Sequence, residues 1–430
     1  MAEEELESLT VHLPTQIGWD ERAVPNETAD DDGNPGPAVS AFAKTDPCAP
    51  RRRAWDDPEV QELRSQLRAH NGIHGVEICS PDEVERAAQL FRRDGFVVVR
   101  DLLSAEQLSR QRDACSNVLR QLLSEPGADG RKYHTESGRT PHRYSYGECS
   151  ASRHMLHDPA WAGLVDLPTT TPLLSKLFGS KDYLVIGAGG DLCLPGTVEY
   201  QHLHRDVQDN PKRLNQGRLQ AAKGVGLKVD PAAPTTLPKE KLAYEMTPPV
   251  ITINFLMSDM TWENGPIRHI PGTHGVQQHP PSLAQEPPWM KMMTIVGAPA
   301  GAGVFRDNRA WHGGTPNLSR EVRAMPNVEY GAPYAHTSGR RVERCMPHGI
   351  WESLSEHGRH VCRYVKAEPG VWPEGAGVVH PIANRRGRKT MPSLSDLPEA
   401  ERSGLPAPKL RMEAAGMAVA AAGAAGRAKL

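Results

Sequence analysis

Residues 202–210 read HLHRDVQDN, and the role given to His204-Arg205-Asp206 in this stretch decides which fold to look for. The tripeptide also opens the catalytic loop of phosphotransferases of the kinase type, where an Asn must follow the Asp after four residues to ligate a second magnesium ion. Here only residues 207, 208 and 209 separate Asp206 from Asn210, no Gly-rich loop with a Val-Ala-Ile-Lys strand precedes, and no Asp-Phe-Gly follows. Without a phosphate cradle that reading falls.

A metal site is the stronger reading. On a β-strand, side chains alternate with period two, so His204 and Asp206 present an imidazole and a carboxylate to one face. A 2-His-1-carboxylate centre for non-haem Fe(II) then needs a second His from another strand, with three coordination positions left open. By itself the pattern is weak, since a chain with 18 His contains about one H-x-D by chance. Support comes from residues 305–323, FRDNRAWHGGTPNLSREVR, where His312 closes a strand-like run at a Gly-Gly turn and Arg323 follows eleven positions later. This spacing predicts a chain reversal that sets His312 and Arg323 on adjacent antiparallel strands facing one pocket. Arg supplies the planar, permanently charged fork that the far carboxylate of an iron-bound 2-oxo acid requires.

The rest of the chain fits a mainly β, α+β domain. Residues 1–55 contain DDDGNPGP and DPCAPRRRAW, without apolar period, and read as a disordered extension. A helix is expected from Asp57-Pro58 to Asn71-Gly72, a second from Ser80-Pro81 to Asp94-Gly95, a strand in FVVVR, and a third helix opened by a Ser104/Gln107 capping box. From residue 183 short β-rich runs follow: YLVIGAGG, TVEYQHLH, PVITINFLM, MMTIVG, AGVFR and AMPNVEY. They predict an antiparallel sandwich or barrel. The domain is drawn as 56–335, with a Lys/Arg-rich insertion at 208–245 and an irregular, Ala-rich extension at 336–430.

Four ordered stretches, FRRDGFVVVRDLLS (91–104), YQHLHRD (200–206), ENGPIRHIPGTH (263–274) and WHGGTPNLSREVR (311–323), resemble the phytanoyl-CoA dioxygenase family of Fe(II)- and 2-oxoglutarate-dependent oxygenases. The resemblance implies a double-stranded β-helix, a jelly roll of the cupin type. It implies that His204, Asp206 and His312 bind the metal and that Arg323 holds 2-oxoglutarate, with O2 as co-substrate and ascorbate in support. Asn264-Gly265-Pro266 and Pro271-Gly272 match the family's tight turn. Two departures stand out: Gly314 replaces the hydroxyl residue often found two positions after the second iron His, with Thr315 adjacent, and the 208–245 insertion is long. Relatives that halogenate lack the carboxylate, so Asp206 points to hydroxylation of a small-molecule or acyl substrate.

Other readings stay open at this level. His202 alternates with His204, so His202, His204 and Asp206 make a possible zinc hydrolase site. A non-enzymatic cupin-like module would hold a metal or ligand in the same barrel. His134-x-Glu136 copies the His-x-carboxylate pattern in a polar segment. Asn254 and Thr252 either face the pocket or bond across the sheet, and Trp311 reads as core. Net charge is -2, which offers nucleic acid or an anionic membrane no attracting field. The seven cysteines form no CxxC pair, which points to reduced thiols in a soluble intracellular protein. The C-terminal Ala428-Lys429-Leu430 is a variant of the peroxisomal address, so cytoplasm and peroxisome both remain. The sequence assigns neither substrate nor oligomeric state.

Overall fold

A computed structural model describes residue 19 and residues 54–124, 143–147, 154–207, 247–276, 278–332 and 345–370. The N-terminal extension apart from Trp19, Ala54 and Trp55, together with His134, Glu136, the 208–245 insertion and the C-terminal tripeptide, lies outside the described residues.

Local chemistry sets the entrance to the domain. In α1 (Pro58–His70) the Asp57 side chain accepts from the Glu59 N–H and proline takes the first position, as the sequence predicts. The second helix begins later than expected: α2 is Val84–Asp94, because the Glu83 carboxylate turns back to the Ser80 N–H and hydroxyl and closes a turn first. Gly95, at φ 81°, ends α2 in the left-handed conformation and feeds the chain into a strand. After that strand, Ser104 and Gln107 cap each other reciprocally at 2.8 and 3.2 Å and open α3 (Ala105–Ser124).

Among the described residues nine strands follow chain order: β1 (Ile78–Cys79), β2 (Phe96–Val99), β3 (Arg143–Tyr146), β4 (Leu184–Cys193), β5 (Val250–Phe255), β6 (Arg268–His269), β7 (Gly303–Asp307), β8 (His312–Gly313) and β9 (Arg323–Gly331). Seven of them form a sheet in the order β1-β2-β7-β5-β9-β4-β3, antiparallel at every ladder except β1–β2. The pair β6–β8 forms a second sheet, which isolated bridges at Thr197↔Asn317, Asn264↔Asn317 and His204↔His312 extend sideways. Period-two alternation divides the core between two faces of the large sheet. Val97 and Val99 join the main cluster, together with residues of α2, α3 and the short helices α4 (Pro159–Ala162) and α5 (Thr171–Phe178). Phe96, Val98 and Val304 instead join Ile267 and Ile295, in the space between the sheets. Helices on one face and a small sheet on the other make the mixed α+β, jelly-roll core that the sequence predicts.

Three expected elements differ. TVEYQHLH and MMTIVG contribute single bridges rather than ladder strands. In the second case the backbone bonds are divided between two neighbours: Met292 and Thr294 carbonyls accept from Gly72 and Ile73, while Met293 accepts from His269, so no continuous register forms. After residue 335, where an irregular chain is expected, helices His348–Glu352 and Glu356–Val361 bury Ile350 and Val361 against the main cluster.

Candidate metal centre

His204 and His312 come from segments about a hundred positions apart and are joined as one antiparallel pair, each N–H donating to the other's carbonyl at 3.0 Å. This pairing places both imidazoles on one face, with ring centroids 4.3 Å apart. Asp206, two residues beyond His204, turns its carboxylate to the same point, and its backbone N–H donates to the Asn308 carbonyl at 2.9 Å. One ligand atom from each of His204, Asp206 and His312 lies within 4.8 Å of the others. The geometry brings together the three residues singled out by the sequence. His202 lies outside this group, although its ring centroid is 5.6 Å from that of His204.

The second ring nitrogens orient the set. His312 Nδ1 donates to the Ala310 carbonyl at 3.0 Å and His204 Nδ1 to the His202 carbonyl at 3.2 Å. Both Nε2 lone pairs therefore face Asp206, at 3.5 and 3.7 Å from its oxygens. Burial, then the nearby Arg306 cation, hold His312 neutral, well below the usual imidazole range. Desolvation pushes the Asp206 carboxyl upward, but the positive charge of Arg306 foremost outweighs it and keeps the acid well below its ordinary range. A neutral His312 and an ionised Asp206 are the protonation states a divalent cation needs.

A cation already stands in the cradle. Arg306, on β7, places Nη1 2.7 Å from Asp206 Oδ2 and 2.9 Å from His312 Nε2. Its guanidinium stands in for positive charge at the point where the three ligand atoms converge. The donor set thus fits a first-row divalent ion in charge and in type.

Arg323 is placed differently from the expectation. It opens β9 in the large sheet, whereas His312 lies on β8 in the small one, so the two occupy different sheets and not adjacent strands. The Thr315–Glu321 turn carries the chain across, and the Asn317 amide pins it to the carbonyls of Cys193 and Glu321 at 2.8 Å each. Arg323 is buried, with Nε 3.1 Å from the carbonyl of Gly265, in the tight turn. In register, Arg143 pairs with Cys193 and Cys193 with Arg323, so two arginines flank one cysteine on the same face. A Cβ built on Gly314 would overlap the Arg143 Nη1. The departure at Gly314 thus has a physical counterpart: a guanidinium fills the room of the missing side chain, while the Thr315 hydroxyl is committed to the Pro266 carbonyl at 2.6 Å.

Sequence reasoning missed Arg143, Arg306 and His269. The signal for Arg306 was a charge inside the apolar run AGVFR, in alternation with Val304. His269 sits directly opposite His312 in the β6–β8 register, is fully buried, and stacks on Phe96 at 4.7 Å. Thr252 donates to Asn308 Oδ1 at 2.8 Å, so it bonds beside the site. Trp311 packs with Leu203 and Ile270, as expected of a core residue.

The fold and the site together define a jelly-roll protein with a His-x-Asp…His cluster of a kind that could hold a metal ion. The family model of phytanoyl-CoA dioxygenase (PhyH) matches residues 91–325, more than half of the chain, and the chain belongs to that family of iron- and 2-oxoglutarate-dependent oxygenases. Among solved structures it is similar to the non-haem α-ketoglutarate-dependent epimerase SnoN of nogalamycin biosynthesis (18% identity, TM-score 0.37, 58% of this chain and 84% of that one). It is also similar to HygX from Streptomyces hygroscopicus, solved with nickel, 2-oxoglutarate and hygromycin B (16% identity, TM-score 0.36, 58% and 87%). A search of curated proteins gave no match. Among the described residues no helix is long and apolar enough to cross a membrane.

Proposed function

We propose that the chain is an Fe(II)- and 2-oxoglutarate-dependent dioxygenase that hydroxylates a small-molecule or acyl substrate, with an oxygenase unit over 56–335. The observation that carries this reading is the convergence of His204, Asp206 and His312 within 4.8 Å from two distant segments. These three residues would hold the iron, which when bound supplies a seat for the keto acid and O2 and the oxidising power for attack on a C–H bond. The atoms balance as R–H plus O2 plus 2-oxoglutarate giving R–OH, succinate and CO2.

The chain's own residues do the positioning. Nδ1 donation to Ala310 and His202 holds both imidazoles as Nε2 ligands. Arg323 is the fork for the distal carboxylate of the keto acid, and Arg143, in the same row, adds a second positive charge where a hydroxyl side chain is missing. The apolar cluster of Val98, Ile267, Ile295 and Val304 keeps water out of the space behind the site. Incubation with Fe(II), ascorbate, 2-oxoglutarate and O2 should yield succinate, and iron-loaded protein that forms none with any extract of small molecules would refute the reading.

One observation favours a second reading, a metal-free cupin-like module: the Arg306 guanidinium occupies the convergence point. It predicts that the protein takes up no divalent ion at all.

A further inference from the structure

Arg306 is 5% exposed. Among the described residues its guanidinium bonds only Asp206 and His312, and its Nε, also buried, has no partner. Asp206 is the carboxylate that a divalent ion must also take, and its single negative charge cannot neutralise both the ion and the guanidinium. The charge count then leaves a remainder. An ion of charge two is matched by Asp206 and by the keto acid's carboxylate beside its ketone, and the distal carboxylate faces Arg323. Arg306 keeps a positive charge inside the protein with no anion opposite, which is strongly unfavourable unless a further ligand brings one.

Other unspent polar groups gather at the same place. Both ring nitrogens of His269 and the Asn308 Nδ2 are buried without hydrogen-bond partners. Phe96 is the Cα partner of Arg306 across β2–β7, and His269 stacks on it, so His269 and Arg306 border one space beside the metal ligands. Asn308 accepts from Thr252, the Cα partner of Arg306 across β5–β7, so its amide lies beside the same arginine. A cationic fork, an imidazole and an amide N–H so placed make a receptor for a carboxylate.

Resting on the function proposed above, we infer that Arg306 anchors a carboxylate of the primary substrate, with His269 and the Asn308 amide completing its hydrogen bonds, so that the substrate is an organic acid. On metal binding the guanidinium leaves Asp206 and takes the substrate's anion in exchange. The ion pair with Asp206 holds the fork in the site until then.

The test uses the full chain loaded with Co(II) and saturated with 2-oxoglutarate, titrated calorimetrically with acetate and, as its neutral counterpart, acetamide. The wild type should bind acetate at least ~10-fold more tightly than acetamide, the discrimination expected of a charge-assisted pair. In Arg306→Gln the preference should vanish, Co(II) should bind more tightly, and 2-oxoglutarate affinity should stay within about 3-fold. Equal affinity for the two probes in the wild type, which needs no variant to fold, overturns the inference, and so does a preference that survives in Arg306→Gln. Loss of 2-oxoglutarate binding in Arg306→Gln would assign the fork to the keto acid and overturn it too. A wild type that binds neither Co(II) nor 2-oxoglutarate refutes the proposed function itself, a failure visible before either probe is added.

Discussion

Two buried arginines, placed by two different strands, meet carboxylates in opposite ways. Arg268, on β6, grips Glu286 with Nη1 and Nη2 at 2.6 and 3.1 Å, and both side chains are fully buried. Arg306, on β7, reaches Asp206 with one nitrogen, and that carboxylate keeps 31% of its side-chain surface exposed. The first pair is closed: its carboxylate faces only protein, and it ties the β6 strand to the 278–291 loop. The second is open, with a partner that two histidines share. Similar groups thus serve as a clamp in one place and as a site in the other, and the difference lies in whether the carboxylate has further ligands to serve.

The largest expected effect falls on the closed pair. Glu286→Ala strands the Arg268 charge in the interior and should cost about 3–5 kcal/mol in urea unfolding. Arg306→Gln should cost less than about 1 kcal/mol, because Asp206 can turn to water. Equal costs would break the contrast between clamp and site. Next in size is Arg323→Ala, which removes a charge-assisted fork worth about 1.5–3 kcal/mol and should weaken 2-oxoglutarate binding roughly 10- to 150-fold while metal affinity holds. Unchanged 2-oxoglutarate affinity would show that this third arginine is another clamp.

Protonation gives the smallest effect and sharpens the contrast from the imidazole side. Burial, then Arg306, hold His269 neutral, well below the ordinary imidazole value of 6.5. The unfolded chain takes up this proton near pH 6.5 and the folded chain does not, so the contribution is complete above that pH and is lost as pH falls. The slope is about 1.4 kcal/mol per unit, or about 2 kcal/mol between pH 6.5 and 5, in the metal-free protein. His269→Phe should remove one proton's worth of this slope in denaturant melts across that range, and an unaltered slope would mean that His269 is charged in the fold.

How much of this was legible in the sequence follows from what each residue depends on. His204, Asp206, His312 and Arg323 could be picked out as candidates because spacing along the chain singles them out: period two for the first pair, a Gly-Gly turn and an outgoing strand for the second. Even there the sheet assignment failed, since eleven residues allow either a hairpin or a crossing between sheets, and the Asn317 hydrogen bonds that decide for the crossing are tertiary. Arg143, Arg306 and His269 matter through lateral neighbours. Arg143 lies across β4 from Arg323, His269 lies across β6–β8 from His312, and no local pattern encodes a register. Gly314 read as a departure from the family, and only the packing showed what fills its place.

Anaerobic calorimetric titration of Fe(II) into the protein in the presence of 2-oxoglutarate tests the central claim most directly. The wild type should show a single site that His312→Ala abolishes and Arg306→Gln tightens. A wild type that takes up no iron, or a His312→Ala variant that binds it equally well, would contradict it.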